Sequence, residues 1–244
     1  MQKRKYLFGF SSLFLGYFMM SVAMAGVVAD KSRIIFMASD REQGLSLVNV
    51  NEYPVMVQLW VDDGDPDSGP EVANAPILPN PGLLKLAKNE SKHISLLNIS
   101  EHAVENQEQL YWLNLYEVPP SPLKQMNDSA GQLLVVALRT QMKVFIRPDG
   151  LNETVDRIPS LQQFFYQSGM IKVKNNSPYF VTYQNIRATI NGKEHSIYSG
   201  MLAPFSATEV DMPDNAKLAS DIVFITAEYV DDDGNIQLFS AKIE

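Results

Sequence analysis

Val55-Met56-Val57-Gln58-Leu59-Trp60-Val61 alternates with a period of two. Val55, Val57, Leu59 and Val61 share one face, while Met56, Gln58 and Trp60 share the other. Such alternation predicts a β-strand with one buried face. Similar runs lie on either side, at residues 33–37, 45–50, 93–99, 109–116 and 133–146. Turn-forming clusters separate them, among them Asn51-Glu52-Tyr53-Pro54, Pro79-Asn80-Pro81-Gly82 and the stretches 62–70 and 119–131. Many short strands with regular turn signals predict an all-β sandwich. Arg147-Pro148-Asp149-Gly150 breaks the pattern, because proline restricts its own φ and its predecessor's, and Asp-Gly is a turn pair. Strands resume at 170–174, 179–186, 195–198, 209–211, 222–229 and 236–243, with Asp233-Gly234 as a hairpin turn between the last two. The reading is two β-sandwich domains, 26–148 and 149–244, with one short helical turn around 161–166.

Composition narrows the chemistry. The 244 residues carry 28 Asp+Glu against 20 Lys+Arg, a formal charge of −8, and no cysteine. Disulfides, thiolate metal sites and a cysteine nucleophile are therefore excluded. An acidic balance weighs against nucleic acid as a partner, since that work needs a basic surface. At the start, Lys3, Arg4 and Lys5 precede an apolar stretch from Tyr6 to Val22, followed by Ala23-Met24-Ala25. This is the order of a secretory signal peptide, 1–25, cleaved before Gly26. Reading the apolar stretch on to Ala29 gives an uncleaved membrane anchor instead, but Gly9, Ser11, Ser12 and Gly16 interrupt it and favour cleavage. Cleavage leaves 17 basic against 28 acidic side chains, a charge of −11. A secreted chain without cysteine depends on its cores alone, and two domains of this size suffice.

Enzyme signatures are missing. No G-x-S-x-G, P-loop or H-E-x-x-H occurs. His93, His102 and His195 are far apart and read as exposed or strand-edge residues rather than as bases or ligands. No metal or other cofactor is expected. Asp62-Asp63-Gly64-Asp65-Pro66-Asp67 raises the question of calcium, yet the EF-hand pattern then wants Gly at Ser68 and Glu at Asn74. It reads as a solvated acidic turn, as does Asp231-Asp232-Asp233. Trp60 and Trp112 would suit a carbohydrate platform if exposed, but both sit on strands where core packing is the better reading.

The most informative stretch runs from Leu133 to Pro148. Its first six residues, Leu133-Leu134-Val135-Val136-Ala137-Leu138, are apolar on both strand faces. Either a second domain covers this strand, or it is an edge meant to pair with a partner. Lys143, on an otherwise apolar strand just before the break, reads as a cleft residue.

Taken together, the residues resemble the periplasmic pilus chaperones of the PapD-like type, which act in the chaperone–usher pathway. The resemblance spans essentially the whole chain after residue 25. Ser32-Arg33-Ile34-Ile35-Phe36 resembles the family's first strand with its arginine. Asn49, Pro54, Gln58 and Trp60 match its second and third strands, and the segment 76–79 its proline-rich segment. Glu108-Gln109-Leu110-Tyr111-Trp112-Leu113-Asn114-Leu115-Tyr116-Glu117-Val118-Pro119-Pro120 resembles the family's most recognisable stretch. Lys143-Val144-Phe145-Ile146-Arg147-Pro148 matches the Lys…Arg-Pro signature at the domain junction. Asn176-Ser177-Pro178-Tyr179 and Ala203-Pro204-Phe205 fit in the second half.

The resemblance implies two immunoglobulin-like β-sandwich domains in a boomerang with a cleft between them. It implies a non-enzymatic function in the periplasm: holding pilus subunits, which lack a strand, and delivering them to the outer-membrane usher. The lent strand would lie within 133–143, with Leu134, Val136 and Leu138 pointing into the subunit. Each such burial contributes at most about 1.5–3 kcal/mol before ordering costs. Arg33 and Lys143 would grip the subunit's C-terminal carboxylate and so set the register. Glu108, Arg147 and Asp232 would form an interdomain ion-pair network. The short loop 121–131 and the missing cysteine pair place the chain with the short-loop type. Asn106 stands where the family has Asp, and both the charge and the 62–69 loop are more acidic than usual. The exposed strand also suggests a self-capping dimer of the free protein. The competing readings are a secreted structural, adhesive or carbohydrate-binding β-sandwich, which would have no need of a cation pair.

Overall fold

The computed structural model describes residues 26–100, 106–120, 136–167, 169–190, 192–211 and 222–244. The 1–25 segment, His102, Leu134 with its neighbours Leu133 and Val135, and the loop 121–131 lie outside the described residues.

Among the described residues the first half holds nine strands: β1 (Val27–Ala29), β2 (Arg33–Met37), β3 (Glu42–Asn49), β4 (Val55–Asp62), β5 (Ile77–Asn80), β6 (Leu83–Leu86), β7 (Ser91–Asn98), β8 (Gln109–Val118) and β9 (Leu138–Arg147). They form a four-stranded sheet, β1-β3-β7-β5, and a five-stranded sheet, β2-β9-β8-β4-β6. Inward-facing residues of both sheets build one core, including Ile34, Phe36, Leu45, Leu47, Val57, Leu96, Leu113 and Val144. This is the packing that period-two alternation predicts for an immunoglobulin-like sandwich.

The second half follows with a 3₁₀ helix (Val155–Leu161), β10 (Gln162–Gln167), β11 (Met170–Asn175), β12 (Val181–Ile190), β13 (Lys193–Leu202), β14 (Ala207–Asp211), β15 (Ile222–Val230) and β16 (Ile236–Ala241). Its sheets are β10-β11-β14 and β13-β12-β15-β16. They enclose a separate core of Phe164, Ile171, Val173, Tyr183, Ile186 and Ile225, among others. A chain with two unconnected cores and no cysteine is stabilised as two small sandwiches, each by its own apolar burial.

Both sandwiches use one polar device that strand periodicity does not reveal. Asn49 and Asn175, each fully buried at the end of a strand, fold the chain that comes after. Asn49 Nδ2 donates to the Tyr53 carbonyl (2.9 Å), and its Oδ1 accepts from the Asn51 N–H (3.0 Å). Asn175 does the same with the Tyr179 carbonyl (2.7 Å) and the Ser177 N–H (3.0 Å). Buried amides of this kind are tolerated because their hydrogen bonds are satisfied.

The structure corrects several local expectations. The helical turn expected at 161–166 ends where it was to begin. Gln162 and Phe164 point inward in alternation as β10 pairs with β11, and Pro159 sits in the 3₁₀ turn just before. Pro79 and Asn80 belong to β5 rather than to a turn, and β1 and β6 are strands too short to show a period. Asp62 is no solvated turn residue. It is 1% exposed at the end of β4, accepting from Trp60 Nε1 (2.9 Å) and Asn114 Nδ2 (2.8 Å). Trp60 is buried too, but on the outward face, where the Arg139 guanidinium lies 5.0 Å from its ring centroid.

Strand β9 is paired differently along its two halves. It runs antiparallel to β8 from Leu138 to Ile146. On its other side it pairs in parallel with β2, from Arg33 beside Lys143 to Met37 beside Arg147. Residues 138–142 therefore have a strand on one side only among the described residues. Val136 and Leu138, 54% and 45% exposed, precede and open this stretch. Among the described residues, 138–142 form a strand edge that no element of the second domain pairs with.

Candidate functional site

The outward face of β2 and β9 carries Arg33, Lys143, Phe145 and Arg147 toward the second sandwich. Phe145 meets Phe180 across the junction, with ring centroids 5.9 Å apart. Period two puts Lys143 and Arg147 on the same face of one strand, and the parallel register puts Arg33 next to Lys143. Three cations thus converge where the domains meet.

Arg147 is clasped. Its Nε donates to Glu108 Oε1 (2.7 Å), and its NH1 and NH2 form a fork with Asp232 (2.7 and 2.9 Å). The guanidinium also lies 5.0 Å from the Tyr179 ring centroid. Burial works against its charge, but the hydrogen bonds and attraction of Asp232 and Glu108 outweigh that and raise its pKa above the ordinary guanidinium value. Glu108 is itself buried. Burial raises its carboxyl pKa, while Arg147 and the Phe180 N–H, donating to Oε2 at 2.8 Å, oppose the rise. Glu108, Arg147 and Asp232 thus join β8, β9 and the β15–β16 turn in one charge-assisted network. Ser39 and Asp149 add a smaller tie through a hydroxyl–carboxylate bond of 2.8 Å.

Arg33 and Lys143 are placed differently. Lys143 Nζ donates to the Thr182 hydroxyl (2.8 Å) and lies 5.7 Å from the Trp112 ring centroid. Arg33 NH1 donates to the Val230 carbonyl (3.2 Å), while its Nε is buried without a hydrogen-bond partner. Among the described residues neither forms a salt bridge. Burial, and then the neighbouring Arg33 charge, push the Lys143 ammonium down to about 8. Burial likewise lowers Arg33, opposed by the more distant Asp232, Asp231 and Glu108. Two partly desolvated cations held side by side on neutral acceptors have the chemistry to take an anion. Recesses of about 640 and 470 Å³ flank Arg33 on either side of the Asp232–Asp233 turn.

Sequence reasoning singled out Arg33, Lys143, Glu108, Arg147 and Asp232, and the structure gathers all five at the junction. Val136 and Leu138 lie at the open end of β9, on the strand that carries Lys143. Missed were Thr182 and Val230, the second-domain acceptors for the two cations. Nothing in the sequence marks them, since one is an ordinary outward threonine and the other contributes only its carbonyl. His93 and His195 sit on β7 and β13 in different domains. Among the described residues no three His, Cys, Asp or Glu side chains gather closely enough to hold a metal ion.

Comparison with known proteins gives the arrangement a context. Residues 26–152 match the family model for the "Pili and flagellar-assembly chaperone, PapD N-terminal domain", and residues 159–240 that for the "Pili assembly chaperone PapD, C-terminal domain". The chain is 30% identical over 193 residues to the probable fimbrial chaperone YadV of Escherichia coli K12, covering 76% of this chain and 77% of that one. Among solved structures, the CupB2 chaperone of Pseudomonas aeruginosa superposes with a TM-score of 0.72 at 26% identity, over 88% of this chain and all of that one. A chain from the complex of Salmonella enterica SafA pilin with the SafB chaperone shares the fold, with a TM-score of 0.72 at 22% identity over 90% and 97% of the two chains.

Proposed function

The chain belongs to the family of PapD-type pilus-assembly chaperones, which are not enzymes, and from that premise we propose that it holds pilin subunits by lending them an edge of β9. The observation that carries this is the pairing of β9. Its C-terminal half is closed by β2, its N-terminal half is open, and the cation pair Arg33–Lys143 stands where closure begins.

That geometry dictates the physics of capture. Backbone N–H and C=O groups of residues 138–142 that face away from β8 pair with an incoming strand, a strand-addition mode. Leu138 and Val136, with Leu134 upstream, supply apolar side chains to the subunit's open groove. The carboxylate at the subunit's C-terminus binds Arg33 and Lys143, which restores charge balance and satisfies Arg33 Nε. Because a slip of one residue would turn the wrong face inward, a fixed ionic point selects one register. The Glu108–Arg147–Asp232 network sets the domain angle and so the distance of Thr182 and Val230 from the two cations.

Family membership supports the remaining features. Residues 1–25 are an export signal removed before Gly26, consistent with a family match that begins there. The chaperone acts in the periplasm and passes subunits to an outer-membrane usher. The domain junction lies at 148–149, the loop 121–131 is of the short type, and the free protein caps its own edge by dimerising. No cofactor takes part.

Native mass spectrometry of the protein purified from the periplasm of its own host, with pilus genes expressed, tests the proposal. Wild type is expected in a one-to-one complex with a smaller secreted protein, and Lys143→Glu without it. A wild-type protein that is free under these conditions, or a complex indifferent to the substitution, would overturn the reading.

A further inference from the structure

The acidic stretch after β4 finds its place on the outward face of β9. Asp62 is buried, and its Oδ2 accepts from Trp60 Nε1, Asn114 Nδ2 and Arg139 NH2 (2.9, 2.8 and 3.3 Å). Arg139 is the second residue of β9, within the half that lacks a strand on one side. Its Nε donates to Asn114 Oδ1 (2.8 Å), its NH1 to the Pro66 carbonyl (2.6 Å), and its plane covers Trp60. Gln141, two residues on, donates to the same Asn114 oxygen (3.0 Å). The turn that brings Pro66 over the sheet depends on Gly64, whose φ is +96°. A Cβ there would also meet Trp112 Nε1 at 2.5 Å.

We propose that Arg139, held by the buried Asp62 and the 62–66 turn, is a positioning residue that fixes the open half of β9 in one register and with one face presented. This rests on the capture reading above and adds to it a second fixed point. Lys143 defines where the captured strand ends, while Arg139 prevents the open stretch from slipping or rolling before a subunit arrives. A one-residue slip of β9 against β8 would swing Arg139 and Gln141 to the core face and break at once every bond they make to the cluster. With Arg139 and Gln141 tied down on the outward face, only the side chains of Leu138 parity remain to be offered. Pre-ordering this edge lowers the ordering cost of binding, so its loss appears mainly in the lifetime of the complex.

The test compares wild type, Arg139→Ala, Arg139→Lys and Asp67→Asn. Asp67 is an exposed acid of the same loop whose side chain makes no hydrogen bond or ion pair with the cluster; its backbone N–H donates to Asp65 Oδ1. Amide hydrogen exchange on the free protein reads the strand itself, and dissociation of a co-expressed pilin subunit of the host, monitored by native mass spectrometry, reads capture. In Arg139→Ala the β8-paired amides within 138–142 should exchange about tenfold faster, those of 143–147 should be unchanged, and the complex should dissociate about tenfold faster. Arg139→Lys keeps the charge but not the fork and should behave like Arg139→Ala. Asp67→Asn should match wild type. Unchanged exchange in 138–142, an equal rise through 143–147, restoration by lysine, or an equal effect of Asp67→Asn would each overturn the proposal. Because the exchange is measured without subunit, failure of capture itself, seen with Lys143→Glu, is distinguishable from failure of the clamp.

Discussion

Lys143 and Arg147 stand four residues apart on one face of one strand, and they meet opposite surroundings. Arg147 has two carboxylates and an aromatic ring around it, and its charge is reinforced. Lys143 has a hydroxyl, an indole and another cation, and its charge is opposed. A buried cation with its carboxylates in place is a structural part. A half-buried cation beside another cation, with neutral acceptors only, has its charge opposed, which is what the proposed anion-binding role requires. The same face of β9 thus holds the domains together at one end and, at the other, carries the cations to which the proposed function assigns the ligand.

Binding should respond most strongly to this difference. Lys143→Glu should remove subunit capture, by about 2–5 kcal/mol, on the scale of truncating one partner of a desolvated charge pair. The urea midpoint of the free protein should not fall below wild type, because the opposed ammonium beside Arg33 is removed. A collapse in folding stability with Lys143→Glu would erase the contrast, because it would make Lys143 a structural part like its neighbour.

Arg147→Ala should show the reverse. It leaves Glu108 buried with its principal counter-charge gone, a loss on the order of 3–5 kcal/mol of stability. Urea unfolding monitored by tryptophan fluorescence checks this, and an unchanged midpoint would contradict the structural role.

Acidity separates the two cations next. The folded-state pKa of Lys143 is depressed to about 8 from an ordinary 10.5. The native state then binds fewer protons than the unfolded state between these values, so stability from this group rises with pH across that window. It is lost again as pH falls through about 8. Wild type should gain thermal stability relative to Lys143→Met on going from about pH 7.5 to 10. A flat difference across the window would show that the ammonium is not opposed by its surroundings.

The exposed arm of the clasp should matter least. The Asp232 side chain retains 40% of its exposure, so Asp232→Asn should cost about 1 kcal/mol or less, and less still at high salt. Melting at two ionic strengths checks it.

Much of this architecture was legible from residue order, and for definite reasons. The strands of both sandwiches announce themselves by alternation because each buries one face. Of the junction cations, Lys143 was legible because it stands on an otherwise apolar strand just before the break, and Arg33 and Arg147 through the family resemblance. Their surroundings were not. Thr182 and Val230 reach the cations through a domain angle that no local pattern encodes, and Asp232 was named only through the family resemblance. The burial of Asp62 escapes the sequence for a related reason. An acidic run next to glycine and proline resembles a solvated turn, and only the return of Arg139 from the strand two along in the sheet supplies the counter-charge that lets Asp62 leave water. The short strands β1, β5 and β6 carry too few residues to show a period.

If Arg33 and Lys143 read the end of a captured chain, lengthening that chain must defeat them. One pilin subunit of the host is therefore prepared in two forms, with its own C-terminus and with a few residues appended, and retention of each by the wild-type chaperone is compared in native mass spectrometry. The native subunit should be held and the extended one lost, or released at least about tenfold faster, because its carboxylate no longer falls between the two cations. Equal retention of both forms would contradict a reading of the chain end by this cation pair.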